Sequence, residues 1–122
     1  MKILICGGRD FANQEKFDRA MAPFTIASLV IHGACGWPRE LQGADAMADK
    51  WAHNKIIEVK RFPADWKKFD RAAGPIRNEL MLIEGKPDWV IAFPGGNGTR
   101  NMVELTRVAI RGGAPITLAE IF

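Results

Sequence analysis

Residues 88–99 read DWVIAFPGGNGT, an apolar run followed at once by a turn with three glycines and a threonine. A short run that is apolar on both faces is typical of a parallel strand buried inside a sheet. Glycine at the end of such a strand gives up side-chain packing and costs backbone entropy. The bare main chain must serve another purpose there, and we expect an anionic group, such as a nucleotide phosphate, to lie against it.

Similar apolar runs recur along the chain and alternate with segments of helical period. The predicted strands are KILIC (2–6), SLVIH (28–32), IIEVKRF (56–62), DWVIAF (88–93) and PITLA (115–119). The apolar positions that predict helices are Phe17, Ala20, Met21 and Phe24, then Ala44, Met47, Ala48, Trp51 and Ala52, then Ile76, Leu80 and Ile83, and lastly Leu105, Val108 and Ala109. This alternation predicts an α/β fold, a Rossmann-like three-layer sandwich with a mostly parallel five-stranded sheet, in one domain that spans residues 1–122.

Composition and charge restrict the function only loosely. Hydrophobic residues make up 48% and charged residues 25% of the chain, which is ordinary for a soluble globular domain. No apolar run approaches the roughly 18 residues of a membrane span, and MKILICGG resembles a first strand rather than a signal peptide. We therefore expect a cytoplasmic protein with no membrane partner. The net charge of +3 suits an anionic small ligand or weak contact with nucleic acid.

The two cysteines, Cys6 and Cys35, indicate neither a disulfide framework nor a metal site. With His32 and His53 they complete no metal-ligand spacing, so we expect no metal and no cofactor. Both thiols are predicted to be buried or half-buried. A catalytic cysteine would need a base beside it, and His32 is the nearby candidate in sequence.

Three glycine-rich motifs follow predicted strands. CGGRDF (6–11), HGACG (32–36) and PGGNGT (94–99) end strands one, two and four, whereas strands three and five end without one. In an open parallel sheet, ligands bind outside the carboxyl ends of the strands, at the point where strand order reverses. We expect the three turns to meet at that edge and to form one site.

The PGGNGT turn is the strongest candidate for binding phosphate. Gly95 and Gly96 allow a tight turn, and Gly98 and Thr99 open the next helix, whose first turn offers free N–H donors and a partial positive charge. The threonine hydroxyl is a further donor. The other interpretation is a glycine-rich strand-to-helix turn in which Thr99 is an ordinary N-cap.

The first two turns carry weaker signals. In CGGRDF, Gly7 and Gly8 make room for a ligand and Arg9 is placed to pair with an anion, although Arg9 also fits a solvated turn. Gly33 belongs to the turn after strand two. In GAD (43–45), Asp45 either accepts hydrogen bonds from a ribose hydroxyl or caps the start of the second helix.

AGPIRNELM (73–81) adds a basic side chain near a helix start. We expect Arg77 and Asn78 in the first turn of the third helix, where a guanidinium is unfavourable for the helix dipole by roughly 0.3–1 kcal/mol. An arginine that binds phosphate or carboxylate would tolerate that cost, and so would a surface arginine. Glu79 is the nearest carboxylate to Arg77 in sequence.

Taken together, GGRDF (7–11), HG…GAD (32–45), AGPIRNELM (73–81) and FPGGNGT..MV (93–103) resemble the YspA-related branch of the SLOG superfamily. These Rossmann-like domains are named for Smf/DprA and the Lonely Guy proteins. The resemblance runs from residue 3 to about residue 110. It implies a pocket for a nucleotide or nucleotide-derived ligand, with phosphate held by Gly95, Gly96, Gly98 and Thr99.

The resemblance also implies a reaction, and this sequence departs from the family pattern at two places. Lonely Guy enzymes cleave the N-glycosidic bond of nucleoside 5′-monophosphates with a PGGxGTxxE motif, an essential glutamate and an arginine that Arg77 matches. Met102 stands at the glutamate position, so a carboxylate for this reaction would have to come from elsewhere, with Asp45, Asp10 and Glu79 as candidates. The loop at 36–42 is longer than the family pattern, and Trp37 either stacks on a base or packs on the surface.

These observations predict a domain that binds a nucleotide or nucleotide-derived phosphate ligand, as a sensor or processing domain. The alternative is an N-glycosidase or phosphoribohydrolase in which Arg77, Asp45 and Glu79 act on nucleoside 5′-monophosphates. Single-stranded DNA binding, as in DprA relatives, is a further alternative, but no stripe of aromatic residues interleaved with arginines supports it. The tryptophans Trp37, Trp51, Trp66 and Trp89 suggest a homodimer interface.

Overall fold

Strands and helices alternate through the whole chain in a computed structural model that describes residues 1–122. The strands are β1 (Lys2–Cys6), β2 (Leu29–His32), β3 (Glu58–Arg61), β4 (Trp89–Ala92) and β5 (Thr117–Glu120). The helices are α1 (Gln14–Met21), α2 (Gly43–Asn54), α3 (Trp66–Phe69), α4 (Ala73–Gly85) and α5 (Asn97–Arg111), with a 3-10 turn at Asp70–Ala72.

All five strands run parallel in one sheet of order β3-β2-β1-β4-β5. The predicted α/β architecture is confirmed, and the sheet is parallel throughout. From β1 the chain adds β2 and β3 on one side and then returns to place β4 on the other side of β1. Strand order therefore reverses between β1 and β4, which makes the carboxyl ends of these two strands the expected position for a ligand.

Two apolar cores separate the sheet from a helical layer on each face. Phe17 and Met21 of α1 and the alanines of α2 pack against one face. Met81 of α4 and Met102 and Val103 of α5 pack against the other face. This is the predicted three-layer arrangement, in which helices on both faces bury a parallel sheet.

The third predicted strand, at 56–62, is longer than β3 in the structure. IIEVKRF was expected to be extended from residue 56, but β3 begins at Glu58. The side chain of Ile56 is 96% exposed and its φ is 57°, a left-handed conformation that an isoleucine adopts only in a turn. Ile56 therefore belongs to the turn after α2, because its amide donates to the carbonyl of His53 at the end of that helix, at 3.1 Å.

The position of α4 differs from the prediction in two respects. The helix begins at Ala73, so Arg77 and Asn78 lie in its second turn and the expected dipole penalty does not apply. Gly85, expected beyond the helix end, is its last residue, and Lys86 takes the left-handed cap with φ 47°.

The apolar stripe that predicted α4 faces outward. Leu80 and Ile83 are exposed, and the face toward the sheet carries small residues and Met81. A Cβ built on Gly85 would lie 2.8 Å from the Cδ1 atom of Ile31. The helix therefore packs closely on the sheet through its small residues, and the side chains of Leu80 and Ile83 are left outside.

No helix of the protein combines the length and the apolar character that crossing a bilayer requires.

Candidate functional site

A cleft of about 430 Å³ opens where strand order reverses, at the carboxyl ends of β1, β2 and β4. Its wall combines the three predicted glycine turns with α4. The predicted residues that line it are Gly7, Gly8, Arg9, Gly33, Asp45, Arg77, Asn78, Gly96, Gly98 and Thr99. The fold brings together residues from four separate segments, as expected for loops at one edge of a parallel sheet.

The turns after β1 and β4 touch through their backbones. The amide of Gly8 donates to the carbonyl of Pro94 at 2.9 Å, and a Cβ on Gly8 would lie 3.0 Å from the Cα of Gly95. A Cβ on Gly7 would lie 2.6 Å from Cβ of Ala44. These glycines therefore allow close approach of the main chain, which builds the wall of the cleft.

The N-terminus of α5 leaves its backbone donors unused. The amides of Gly96, Asn97, Gly98 and Thr99 donate no hydrogen bond within the protein. The N-cap is Gly96, which has no side chain, so the interpretation of Thr99 as an N-cap is wrong. A Cβ on Gly96 or Gly98 would meet no atom within 4 Å. The start of this fifteen-residue helix thus presents free donors and open space to the cleft.

Arg77 crosses from α4 to the turn after β2. Its Nη1 donates to the carbonyl of Gly33, and its guanidinium lies against that residue, where a Cβ would fall 2.8 Å from Cζ. Its Nε donates to Oδ1 of Asn78 at 2.9 Å. Its Nη2 has no protein partner, and since no buried side-chain atom is left unsatisfied, this nitrogen opens to the cleft. Burial lowers the pKa of Arg77, against smaller raising effects from Asp45, Cys35 and Cys6, and an arginine keeps its charge in proteins.

Asn78 ties α4 to the start of α5. Its Nδ2 donates to the carbonyl of Gly98 at 3.2 Å and to Oδ1 of Asn101 at 2.9 Å, while its Oδ1 accepts from Arg77. The side chain is buried and both of its polar atoms are engaged. Asn78 therefore positions Arg77 and the helix start, which are the groups that face the cleft.

Asp45 is the only carboxyl group that lines the cleft. It is 7% exposed, and its Oδ2 accepts from the amide of Cys35 at 3.0 Å rather than capping α2, whose N-cap is Gln42. Its Oδ1 has no protein partner and opens to the cleft. Burial raises the pKa of Asp45, against smaller lowering effects from His32, the Cys35 amide and Arg77.

The mouth of the cleft carries residues that sequence reasoning did not select. Trp66 and Arg71 come from α3 and the 3-10 turn, and Asn101 comes from α5. The one available signal was the cluster WKKFDR (66–71), in which basic and aromatic residues alternate next to a helix start. Trp37 also lines the cleft and is 54% exposed, so stacking on a base and packing on the surface both stay open.

Three of the predicted residues lie away from the cleft. Asp10, a candidate carboxylate, is exposed and does not line it. Glu79 is exposed on α4 and does not line it. A Cβ built on Gly95 would point at Thr99, and Gly95 borders a second cavity near the C-terminus. Met102, at the position of the family glutamate, is fully buried in the core between the sheet and α5.

The cysteines are free thiols, as predicted, with Cys6 buried and Cys35 half-buried. Burial raises the pKa of Cys6, so its thiolate is absent near neutral pH. His32, the candidate base for a cysteine nucleophile, has both ring nitrogens engaged: Nε2 with Oδ1 of Asp49 at 2.7 Å and Nδ1 with the amide of Ala34 at 3.0 Å. It is therefore a structural histidine that connects β2 to α2.

Comparison with known proteins gives one match. The family model described as YAcAr (YspA, cpYpsA-related SLOG family) matches residues 1–69, which is more than half of the chain. No curated protein matches the chain. The matched range contains the turns after β1 and β2 and the start of α2, and the PGGNGT turn lies beyond it.

Proposed function

This chain belongs to the YspA, cpYpsA-related SLOG family, and on that premise we propose that it binds a nucleotide or nucleotide-derived phosphate ligand in the cleft. The phosphate lies at the N-terminus of α5, against the amides of Gly96 to Thr99. Arg77 contributes Nη2 to the same group, and Asp45 accepts a hydrogen bond from a sugar hydroxyl.

One observation carries this proposal. Four successive amides at the start of α5 have no partner in the protein, and they open onto the same cleft as the free nitrogen of Arg77. Backbone donors and a guanidinium that converge without an acceptor suit an anion, because each then forms a charge-assisted hydrogen bond. Asp45, which is nearly buried with one oxygen unpaired, adds an acceptor for the neutral part of the ligand.

Calorimetric titration with nucleoside monophosphates, ADP-ribose and cyclic nucleotides tests the proposal. We expect at least one of them to bind, and Gly96→Glu to weaken binding by about tenfold or more, because the new carboxylate lies beside the free amides. Gly112→Glu, at the opposite end of α5, is the matched control and should bind normally. If no phosphate ligand binds the wild-type protein, the proposal fails.

A second candidate is an N-glycosidase that acts on nucleoside 5′-monophosphates, and Asp45 is the observation that favours it. Burial raises the pKa of Asp45, which favours the protonated carboxyl that a general acid in glycosidic cleavage requires. Asp45 would take the place of the family glutamate, since Met102 lies within the core and cannot reach a ligand.

Incubation with AMP and CMP, followed by chromatography of the free base, tests this second candidate. Asp45→Asn should abolish release of the base, whereas Glu79→Gln, which changes an exposed carboxyl outside the cleft, should leave it unchanged. Release that persists at the full rate in Asp45→Asn would exclude Asp45 as the acid or base.

We also propose that a second copy of the chain covers the outer face of α4. Leu80 and Ile83 are exposed there beside Glu79 and Glu84, whereas the neighbouring outer face of α5 carries the exposed Arg107 and Arg111. A two-fold arrangement that places α4 of one copy on α5 of the other buries the aliphatic side chains, while Arg107 and Arg111 keep their partners Glu120 and Glu104. This interface does not include the tryptophans that suggested a homodimer in the sequence. A cytoplasmic location stays a prediction.

A further inference from the structure

Two arginines at the mouth of the cleft have no partner in the protein. Arg9 and Arg71 both line the cleft, are exposed and form no hydrogen bond or ion pair. The remaining arginines, apart from Arg39, bond to a carboxylate, an amide oxygen or a backbone carbonyl: Arg19, Arg61, Arg77, Arg100, Arg107 and Arg111. Unpaired guanidinium groups are thus concentrated at the cleft.

The cleft carries more positively charged groups than are needed to bind one phosphate. The amides at the start of α5 and Nη2 of Arg77 already supply donors for a single phosphate group. Arg9 and Arg71 remain as additional positive charges, and Asp45 is the one acidic group on the wall. The single carboxyl of Asp45 cannot balance the three guanidinium groups of Arg9, Arg71 and Arg77 on the same wall.

The same mouth offers flat apolar surface. Trp37 and Trp66 each line the cleft and are each 54% exposed. Trp66 lies against the start of α4, where a Cβ on Gly74 would be 3.4 Å from its ring. Exposed indole faces next to arginines suit an aromatic base, which stacks on the ring while the phosphates pair with the guanidinium groups.

We propose that the cleft selects nucleotides with more than one phosphate, namely nucleoside diphosphates or nucleotides joined through a diphosphate. The first phosphate lies at the start of α5, and Arg9 and Arg71 pair with the charge beyond it. This inference rests on the proposed function and specifies its ligand class. Arg9 directly follows Gly8, and the backbone of Gly8 contacts the turn before α5. Arg9 is therefore next in the chain to a residue that borders the position proposed for the first phosphate.

Calorimetric titration with AMP and with ADP at fixed ionic strength tests the proposal. We expect ADP to bind the wild-type protein about tenfold more tightly than AMP, since each pairing of an arginine with a phosphate adds a charge-assisted contact. In Arg9→Gln/Arg71→Gln the affinity for ADP should fall by more than the affinity for AMP, so that the two affinities become nearly equal. Arg39→Gln, which removes the third unpaired arginine outside the cleft, should keep the wild-type ratio.

The outcomes separate this inference from the proposed function. Equal binding of AMP and ADP by the wild-type protein would overturn the selectivity and leave the nucleotide site in place. An unchanged ratio in the double variant, with Arg9→Gln and Arg71→Gln measured singly as well, would also overturn it. Failure of AMP, ADP and ADP-ribose alike to bind would overturn this inference, and the proposed function would fail with it only if the cyclic nucleotides do not bind either. Binding of an oligothymidylate alone, with steep salt dependence, would instead indicate single-stranded DNA.

Discussion

At the scale of single residues, the glycines of the three turns serve two different purposes. Gly7, Gly8 and Gly95 stand where a Cβ would collide with neighbouring atoms, so they are needed for the fold. Gly96 and Gly98 stand where a Cβ would meet nothing, so packing does not explain them. Open space beside free amides is what close approach of a ligand to the main chain requires.

This difference predicts opposite effects for alanine at two positions of one turn. Gly98→Ala adds a methyl group in open space and favours the helix, so it should raise stability by up to about 1 kcal/mol. Because that methyl group lies beside the free amides, Gly98→Ala should also weaken the binding of a phosphate ligand. Gly95→Ala brings Cβ against Thr99 and to 2.7 Å from the Gly8 amide nitrogen, and should destabilise by about 1–3 kcal/mol.

Urea unfolding and nucleotide titration of both variants provide the measurement. Gly112→Ala, a change at the other end of α5 with ordinary contact distances, controls for helix propensity alone. Tight ligand binding in Gly98→Ala would contradict the placement of the phosphate at this turn.

Asp45 predicts a specific pH dependence of stability. Its pKa is raised in the folded protein, so the folded chain keeps this proton to a higher pH than the unfolded chain. The free energy of unfolding therefore falls as pH rises from about 4 through the raised value. Asn at this position keeps the bond from the Cys35 amide and does not titrate.

We expect Asp45→Asn to stabilise the protein at neutral pH and to lose this advantage near pH 4. Urea unfolding across the range from pH 4 to about pH 8 measures the difference. Asn54→Ala, an exposed change at the end of α2 that involves no ionisable group, should show no such trend. A difference that is the same at every pH would mean that Asp45 ionises in the folded protein as it does in the unfolded chain.

At the scale of secondary-structure elements, the link between α4 and α5 is polar at one end and apolar at the other. Met81 and Met102 pack in the core, whereas Asn78 joins the second turn of α4 to the first turn of α5. A buried amide that satisfies three partners fixes the relative position of two helices more narrowly than aliphatic contact does. Arg77 and the start of α5 are therefore held by one side chain.

Removal of Asn78 should disturb both groups together. Asn78→Ala leaves Nε of Arg77 and Oδ1 of Asn101 without their partner, and we expect a loss of about 1–3 kcal/mol in stability. Asn78→Asp keeps the acceptor for Arg77 but places a carboxylate below the α5 turn, so it should weaken phosphate binding further than Asn78→Ala does. Thermal unfolding and calorimetry measure the two effects.

Asn54→Ala, an exposed change at the end of α2, is the control for this pair. Equal ligand affinity in Asn78→Asp and Asn78→Ala would show that the charge below the turn is not felt by the ligand, and would argue against a phosphate there.

At the scale of the whole molecule, the exposed aliphatic face of α4 predicts self-association. Leu80→Glu/Ile83→Glu adds charges to a face that already carries two glutamates, so it should shift a dimer to monomer without loss of the fold. Light scattering over a concentration series measures the mass. Ile26→Glu, an exposed isoleucine outside this face, should leave the mass unchanged.

A wild-type protein that stays monomeric at all concentrations tested would contradict the proposed interface. The cleft does not depend on this outcome, because every residue that lines it comes from one chain.

The amino-acid sequence by itself determined the architecture and the position of the site. Alternation of β-branched runs with helical periods allows few arrangements other than a parallel sheet between helices. Parallel strands place their carboxyl ends at one edge, so the glycine turns after β1, β2 and β4 had to meet there. The family match, over residues 1–69, agrees with the resemblance carried by those motifs.

Only the tertiary structure decided which side chains of α4 face the cleft, the core and solvent. The stripe Ile76, Leu80 and Ile83 predicted a helix correctly, yet the opposite face packs on the sheet because its small residues allow closer approach. That rotation turns Arg77 toward Gly33, 44 residues away, and leaves Glu79 outside. Helical period specifies which residues share a face, whereas the face that is buried depends on contacts between segments distant in the chain.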